Sequence, residues 1–341
     1  MGVHVTHDSL GKIFRVEKRL GHGDEFEIIS HFSTGKVQIS SFHHEDCDGL
    51  GALLIESAQW AGATFSAPLF RVPGDAHPRS LIRGITGFLD DFLPSKTLWK
   101  NLDLAAEYTP KNLAWRILDE DSTGALLKCA RTKKVSLNSL LLSAVNSAVA
   151  HEFLRDEQIF CRWLIPVNMR MTPEEVLSTA NHTSSVGMKI RRSDSPETIE
   201  RIFRISLNKW RVLFANKLAN LVSLLTEEQL FQLAKKRGES NFWMGSFSNL
   251  GHWSFPEALE NERWPLAISI APPAGTPCFP VGVGVVTWQG RLSISLRLHS
   301  ALTSGDKVIT ESVLNSMCDI LSRCMNSKMS FFASSEPQEI V

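Results

Sequence analysis

Two rhythms of apolar and polar positions run along this chain. Val37-Gln38-Ile39-Ser40-Ser41-Phe42 alternates, is rich in β-branched residues and follows a turn at Thr34-Gly35-Lys36, which predicts a strand. After Gly49 the rhythm lengthens. Leu50, Leu53, Leu54 and Ala58 recur at helical spacing and predict a helix. A second helix is expected over 79–92, stopped by Pro94, and 98–112 is less regular, contains Pro110 and reads as a crossover. The clearest helix covers 137–153, where Leu137, Leu140, Leu141, Ala144, Val145 and Ala148 form one apolar stripe behind a capping Ser136.

The second half alternates between the two rhythms. Residues 162–165 start a strand that is expected to end at Pro166, and 182–191 predicts another. Ser195-Pro196 is a helix start, with cap and first-turn proline in order, and helical pattern continues to about Lys236 with a break near Thr226. Strands are expected at 244–250, 265–270, 282–288 and 291–298, the last two joined through Gln289-Gly290 as a hairpin. Leu292, Ile294, Leu296 and Leu298 alternate with polar residues, as in a sheet wet on one face. A helix over 308–324 precedes a polar tail, 329–341, expected to lack structure. Residues 2–23 carry little apolar periodicity. Interspersed helices and strands with late hairpins predict a layered α/β protein.

Composition narrows the classes. Among 341 residues, 36 Lys and Arg balance 36 Asp and Glu, and no basic block stands out. That disfavours a nucleic-acid-binding role, which normally needs a basic face. No apolar run reaches the length of a membrane span. The N-terminus lacks the order of a secretory signal, and the six cysteines form no CxxC pair, so the default expectation is the cytoplasm. Met1-Gly2 also matches the loose pattern for myristoylation.

The candidate chemistry lies between the first predicted strand and helix, in Ser40-Ser41-Phe42-His43-His44-Glu45-Asp46-Cys47-Asp48-Gly49-Leu50-Gly51. Three readings are open. Metal binding is disfavoured, because adjacent histidines on a strand point to opposite faces and no i, i+4 pair is present. A polar loop needs no further chemistry. A histidine poised near neutrality can act as acid or base, with an acidic group four positions on, as His44 and Asp48 are spaced, and with Gly49 permitting close approach or positive φ.

The segment His43 to Gly49 fits HHxxxDG and resembles the signature of the chloramphenicol-acetyltransferase-like superfamily, which includes peptide-synthetase condensation domains and wax-ester and alcohol acyltransferases. Other segments are similar in the same order. Residues 135–145 resemble the helix that opens the second lobe, and Ile165-Pro166-Val167-Asn168-Met169-Arg170 resembles the "vpvnlR" segment. Asn181 falls where an Asn-containing segment is expected, and Ser246-Phe247-Ser248-Asn249-Leu250-Gly251 resembles the "SNlG" strand.

The resemblance implies an α/β, two-lobed fold with mixed sheets and flanking helices. The first lobe would cover 1–118 and the second 119–328; with 42 residues ahead of His43, the first lobe is expected to be shortened or incomplete. The implied activity is acyl transfer from a thioester, on coenzyme A or a carrier protein, to a small alcohol or amine. His44 would be the base, reached through a tunnel between the lobes, with no tightly bound cofactor and no metal. Asp48 would be structural and pair with Arg170, while His43 and Gly49 shape the loop. Ser246, Ser248 and Asn249 are oxyanion or substrate candidates, Ser248 preferred. Alternatives are a non-catalytic binding protein of the same fold and a condensation enzyme acting in trans on carrier-bound substrates.

Overall fold

The computed structural model describes residues 7–61, 67–69, 78–91, 93, 95–109, 111–222, 224–238, 243–255, 262–273 and 275–334. Gly2, Phe92, Pro94, Pro110 and residues 335–341 of the expected tail lie outside them. In chain order come α1 (His7–Arg19), β1 (Glu25–His31), β2 (Val37–His43), α2 (Gly49–Ala61), α3 (Pro78–Asp90), β3 (Leu113–Leu118), α4 (Glu120–Thr132) and α5 (Leu137–Phe153). There follow β4 (Phe160–Asn168), a 3₁₀ turn (Glu175–Leu177), β5 (Thr183–Arg191), α6 (Pro196–Ser206), α7 (Lys209–Val222) and α8 (Glu227–Gly238). The chain closes with β6 (Gly245–Trp253), β7 (Ala267–Ala271), β8 (Val281–Trp288), β9 (Arg291–Leu298), α9 (Ser300–Thr303), α10 (Lys307–Met325) and β10 (Phe331–Ser334).

Among the described residues these strands form two sheets. The smaller has the order β2-β1-β7 and is antiparallel throughout. The larger has the order β10-β3-β9-β8-β6-β4-β5, with β6 parallel to both β8 and β4 and the other pairs antiparallel. The sheets exchange strands along the sequence. β3 precedes residue 118 yet lies in the large sheet, and β7 follows it yet closes the small one, so a single cut there does not part the two sheets.

The main core is built on α5, packed with α4, α6 and α10 over one face of the large sheet. Ser136 caps α5 by accepting from the Ser139 N–H at 3.2 Å. Leu142, Val149 and Ala150 are buried along with the expected stripe, so the helix is enclosed well beyond one face. A second core lies between the small sheet and α2, joining Phe26, Ile28 and Ile268 to Leu53, Trp60 and Trp288.

Several expectations need correction. β4 runs through Pro166, because its pairing with β6 stops at Leu164 and only β5 flanks it beyond; with no second ladder there, the missing N–H is tolerated. The helical pattern after Pro196 is cut at 207–208 as well as near Thr226, where Asn208 accepts from the Trp210 N–H at 2.9 Å and starts α7 afresh. The aperiodic start contains α1. Part of the expected tail is β10, paired with β3, with Phe332 under the Arg291 guanidinium at 4.7 Å.

The largest correction is at β9. Its polar face is dry: Ser293, Ser295 and Arg297 are all buried, because β7 and β1 lie across it. The hydroxyl of Ser295 donates to the Ile270 and Gly284 carbonyls, and Arg297 pairs with Glu27 of β1. This polar seam joins the two sheets. Arg297→Met, which leaves Glu27 without its cation, is expected to cost about 3–5 kcal/mol, measured by urea unfolding.

Candidate active site

The HHxxxDG loop connects β2 to α2. Two hydrogen bonds to the His43 carbonyl, from the N–H groups of Asp46 at 3.0 Å and Cys47 at 3.1 Å, curl it back at once. Asp48 then caps α2, its Oδ1 accepting from the Gly51 N–H at 2.7 Å. Helix and turn therefore stand on the same carboxylate.

That carboxylate is the most heavily bonded group of the site. Arg170 grips it with two parallel bonds, Nη1 to Oδ2 at 2.8 Å and Nη2 to Oδ1 at 3.0 Å. The His182 N–H and the Thr183 hydroxyl also donate to Oδ2, at 2.8 and 3.2 Å. Arg170 also donates to the carbonyls of Ser178 and Ala180 and to Asn168 Oδ1, and only its Nε is buried without a partner. The side chains of Arg170 and Asp48 are 0% and 4% exposed. A pair so far from water is stable only when its hydrogen bonds are filled, which is nearly the case here.

Close approach is decided at Gly51, not at Gly49. A side chain at Gly51 would place its Cβ 2.0 Å from the Thr179 carbonyl oxygen, whereas Gly49 meets only the flexible end of Leu250 at 3.0 Å. Gly49 has ordinary helical backbone and needs no positive φ. Leu250 comes from a bulge in β6, where the register with β8 shifts between Asn249 and His252. The bulge leans the Ser-Asn-Leu-Gly segment against the start of α2.

The two histidines part company, as adjacent residues at a strand end do. His43 is half-exposed and its Nδ1 lies 3.2 Å from Asp24 Oδ1. The His44 ring is stacked between Phe26 at 4.6 Å and Phe14 at 5.5 Å between centroids. Its main-chain N–H donates to the Asp24 carbonyl at 3.2 Å, and its carbonyl accepts from Asn181 Nδ2 at 2.9 Å. Its Nδ1 is enclosed without a partner. Burial pulls the imidazole pKa below its ordinary value; the nearby Asp48 carboxylate, the Cys47 backbone and Asp24 push the other way and only partly offset it. The ring is thus held as the neutral base. An open approach to it was expected, and here Phe14 covers one face.

The β6 candidates divide. Phe247 points into the main core, so Ser246 and Ser248 share the opposite face of the strand. Asn249 is engaged, with Nδ2 2.6 Å from Asn138 Oδ1 at the head of α5 and Oδ1 accepting from the Gly251 N–H at 2.8 Å. Cys47 is buried, and burial, with Asp48 and Asp46 nearby, pushes its thiol up to about 12, so it is no nucleophile. Trp243 stacks on Phe279 and Trp253 on Phe255. His299 caps α9 through Nδ1, and burial lowers it to about 4. Among the described residues, no three His, Cys, Asp or Glu gather in a way that could hold a metal ion, and no helix is long and apolar enough to cross a membrane.

Partners of the site that were not foreseen include Phe14, Asp24, Phe26 and Asn138, and the Thr183 hydroxyl on Asp48. Phe26 had a signal, since the turn at Thr34-Gly35-Lys36 before β2 requires an earlier strand to pair with it. Phe14 had one too, since Leu10, Ile13 and Phe14 recur at helical spacing in a start read as lacking periodicity.

No family model matches the chain, and no curated protein matches it. Solved structures do. It is similar to the epimerization domain from the third module of tyrocidine synthetase B, with 14% identity and a TM-score of 0.51, covering 86% of this chain and 70% of that one. It is also similar to the TRI3 trichothecene 15-O-acetyltransferase from Fusarium sporotrichioides, with 15% identity and a TM-score of 0.54, covering 88% and 70%. The EpoB cyclization-docking bidomain from Sorangium cellulosum matches with 14% identity and a TM-score of 0.51, covering 86% and 61%. The chain has the two-lobed chloramphenicol-acetyltransferase-like fold. Identities this low establish the fold and leave the reaction to be argued from the site. The Asp48–Arg170 pair ties the loop between β2 and α2 to the chain just after β4.

Asp48→Asn keeps the shape but leaves Arg170 as a buried charge with no counterion. It is expected to destabilise by about 3–5 kcal/mol, read from urea unfolding, with Lys128→Ala on the outside of α4 as a neutral surface control.

Proposed function

We propose that this protein is an acyltransferase that moves an acyl group from a thioester to an alcohol or amine, with His44 as general base. The observation that carries the reading is a neutral imidazole on the HHxxxDG loop, held in place by groups from both lobes. Asn181 holds the His44 carbonyl, Asp24 its N–H, and Arg170 the loop's carboxylate four residues on. Within the motif Cys47 is inert and Asp48 is saturated, so neither competes with His44 for a proton.

The step balances simply. With Nδ1 enclosed, Nε2 is the nitrogen left to take the proton from the acceptor O–H or N–H as its heteroatom attacks the thioester carbonyl. The tetrahedral oxyanion needs a donor, and the Ser248 hydroxyl is the best placed by chemistry, because Asn249 is already committed to Asn138 and Gly251. Collapse expels the thiolate, which takes the proton back from the imidazolium. The products are the ester or amide and the free thiol. A donor on coenzyme A and one on a carrier protein supply the same carbonyl. The likeness to peptide-synthetase domains favours including carrier-bound donors among those tested.

A binding protein of the same fold is the second reading, and the observation in its favour is Phe14 lying on the base. Thiol release from a panel of acyl-CoA and acyl-phosphopantetheine donors, each with short and long alcohols and amines, separates the two. The acyltransferase is expected to release thiol only when an acceptor matches, and His44→Ala to lose about 10²–10⁴-fold. Equal release by both proteins removes His44 from the mechanism, and no release with any pair favours the binding protein.

The pH profile provides a second check. The folded pKa of His44 is lowered, so the imidazole stays neutral as pH falls through the ordinary histidine range. The acidic limb of kcat/KM is expected below pH ~6.5, with a flat profile through neutrality.

A further inference from the structure

The two faces of the His44 ring are closed by very different parts of the molecule. Phe26 is a core residue of β1, 1% exposed, and cannot leave without unfolding the small sheet. Phe14 sits on α1, where Val16 is the one large buried side chain among the described residues. Gly11 is buried as well and lies beside Glu45 of the motif loop.

What holds α1 down is mostly ionic. Arg15 spans the seam, with Nε 3.0 Å from Glu227 on α8 and Nη1 3.2 Å from Glu45. Arg19 pairs with Glu228 at 3.1 Å and lies 4.6 Å over the Phe231 ring. Lys12 donates to the Leu225 carbonyl at 2.8 Å. These groups are half-exposed, so each ion pair contributes little and weakens with salt. A helix with few buried apolar contacts and solvent-facing ties belongs to the easily opened part of a fold.

The far end of α1 is built to turn. The Gly21 and His22 N–H groups donate to Lys18 and Glu17 carbonyls at 3.0 and 3.1 Å, which ends the helix with Gly21 at φ 77°. Two residues on, the Gly23 N–H is fixed to the Gly275 carbonyl at 3.0 Å. Movement would therefore concentrate at 20–22, between a latched helix and an anchored strand.

We propose that α1 is a hinged cover that lays Phe14 against His44, latched on α8 by Arg15 and Arg19, and that it swings aside to widen access to the edge of the imidazole. Any role in admitting substrate rests on the acyltransferase reading; the cover itself does not.

The test follows the reactivity of His44 in the full chain. Diethylpyrocarbonate modification is quantified by peptide mass spectrometry, with the exposed His252 as internal reference. In Glu227→Gln/Glu228→Gln, far from the ring, His44 is expected to react about three- to ten-fold faster relative to His252 than in the wild type. In the wild type the same ratio is expected to rise as NaCl is raised to about 1 M, which serves if the variant folds poorly. A ratio unchanged by both treatments overturns the cover. Thiol release is measured on the same samples: its absence everywhere, with the labelling ratio still rising, removes the acyltransferase reading and keeps the cover.

Discussion

Asp48 and Arg170 lie 122 residues apart and out of water, joined by two parallel hydrogen bonds. Much of the site hangs on that contact. The carboxylate also starts α2 and binds the chain entering β5, while the guanidinium gathers the carbonyls of Ser178 and Ala180. Charge buried this deeply is costly unless every lone pair is used, and here nearly all are. The same requirement imposes geometry: with five donors converging on one carboxylate, the loop has few alternative shapes in which none is orphaned.

His44 is positioned by its neighbours more than by its own side chain. Main-chain bonds from Asp24 and Asn181 fix where His44 leaves the loop, and Phe26 and Phe14 fix the plane of the ring. Low polarity around the ring has a chemical consequence, because it keeps the imidazole neutral and able to accept a proton. It also has a mechanical one. The two aromatic groups that lie on the ring differ greatly in how firmly they are rooted.

The two sheets are locked together by polar groups that read as solvent-facing. Ser295 and Arg297 alternate with leucine and isoleucine along β9, a pattern that ordinarily marks one wet face. Here that face meets the main chain of β7 and the carboxylate of β1 instead. Polar residues along a strand satisfy buried backbone as readily as water, and the sequence carries no mark that tells the two apart.

Local order was legible because it rests on local physics. The strand 37–43, the capped helix 137–153, the Gln289-Gly290 turn and the proline-started helix at 196 depend on residues within a few positions of each other. The loop motif, and through family resemblance the Asp48–Arg170 pair, were also readable. Elements that depend on distant partners were not. Pro166 stays in a strand because β6 stops short of it, 331–334 become β10 because β3 offers an edge, and α1 forms a helix against α8. The sequence by itself marked His44 and Asp48 as candidates, because motif and spacing are local, and the resemblance named Arg170 as the partner of Asp48. Tertiary structure alone decided what lies on either face of the His44 ring, because stacking and burial join segments that no local pattern connects.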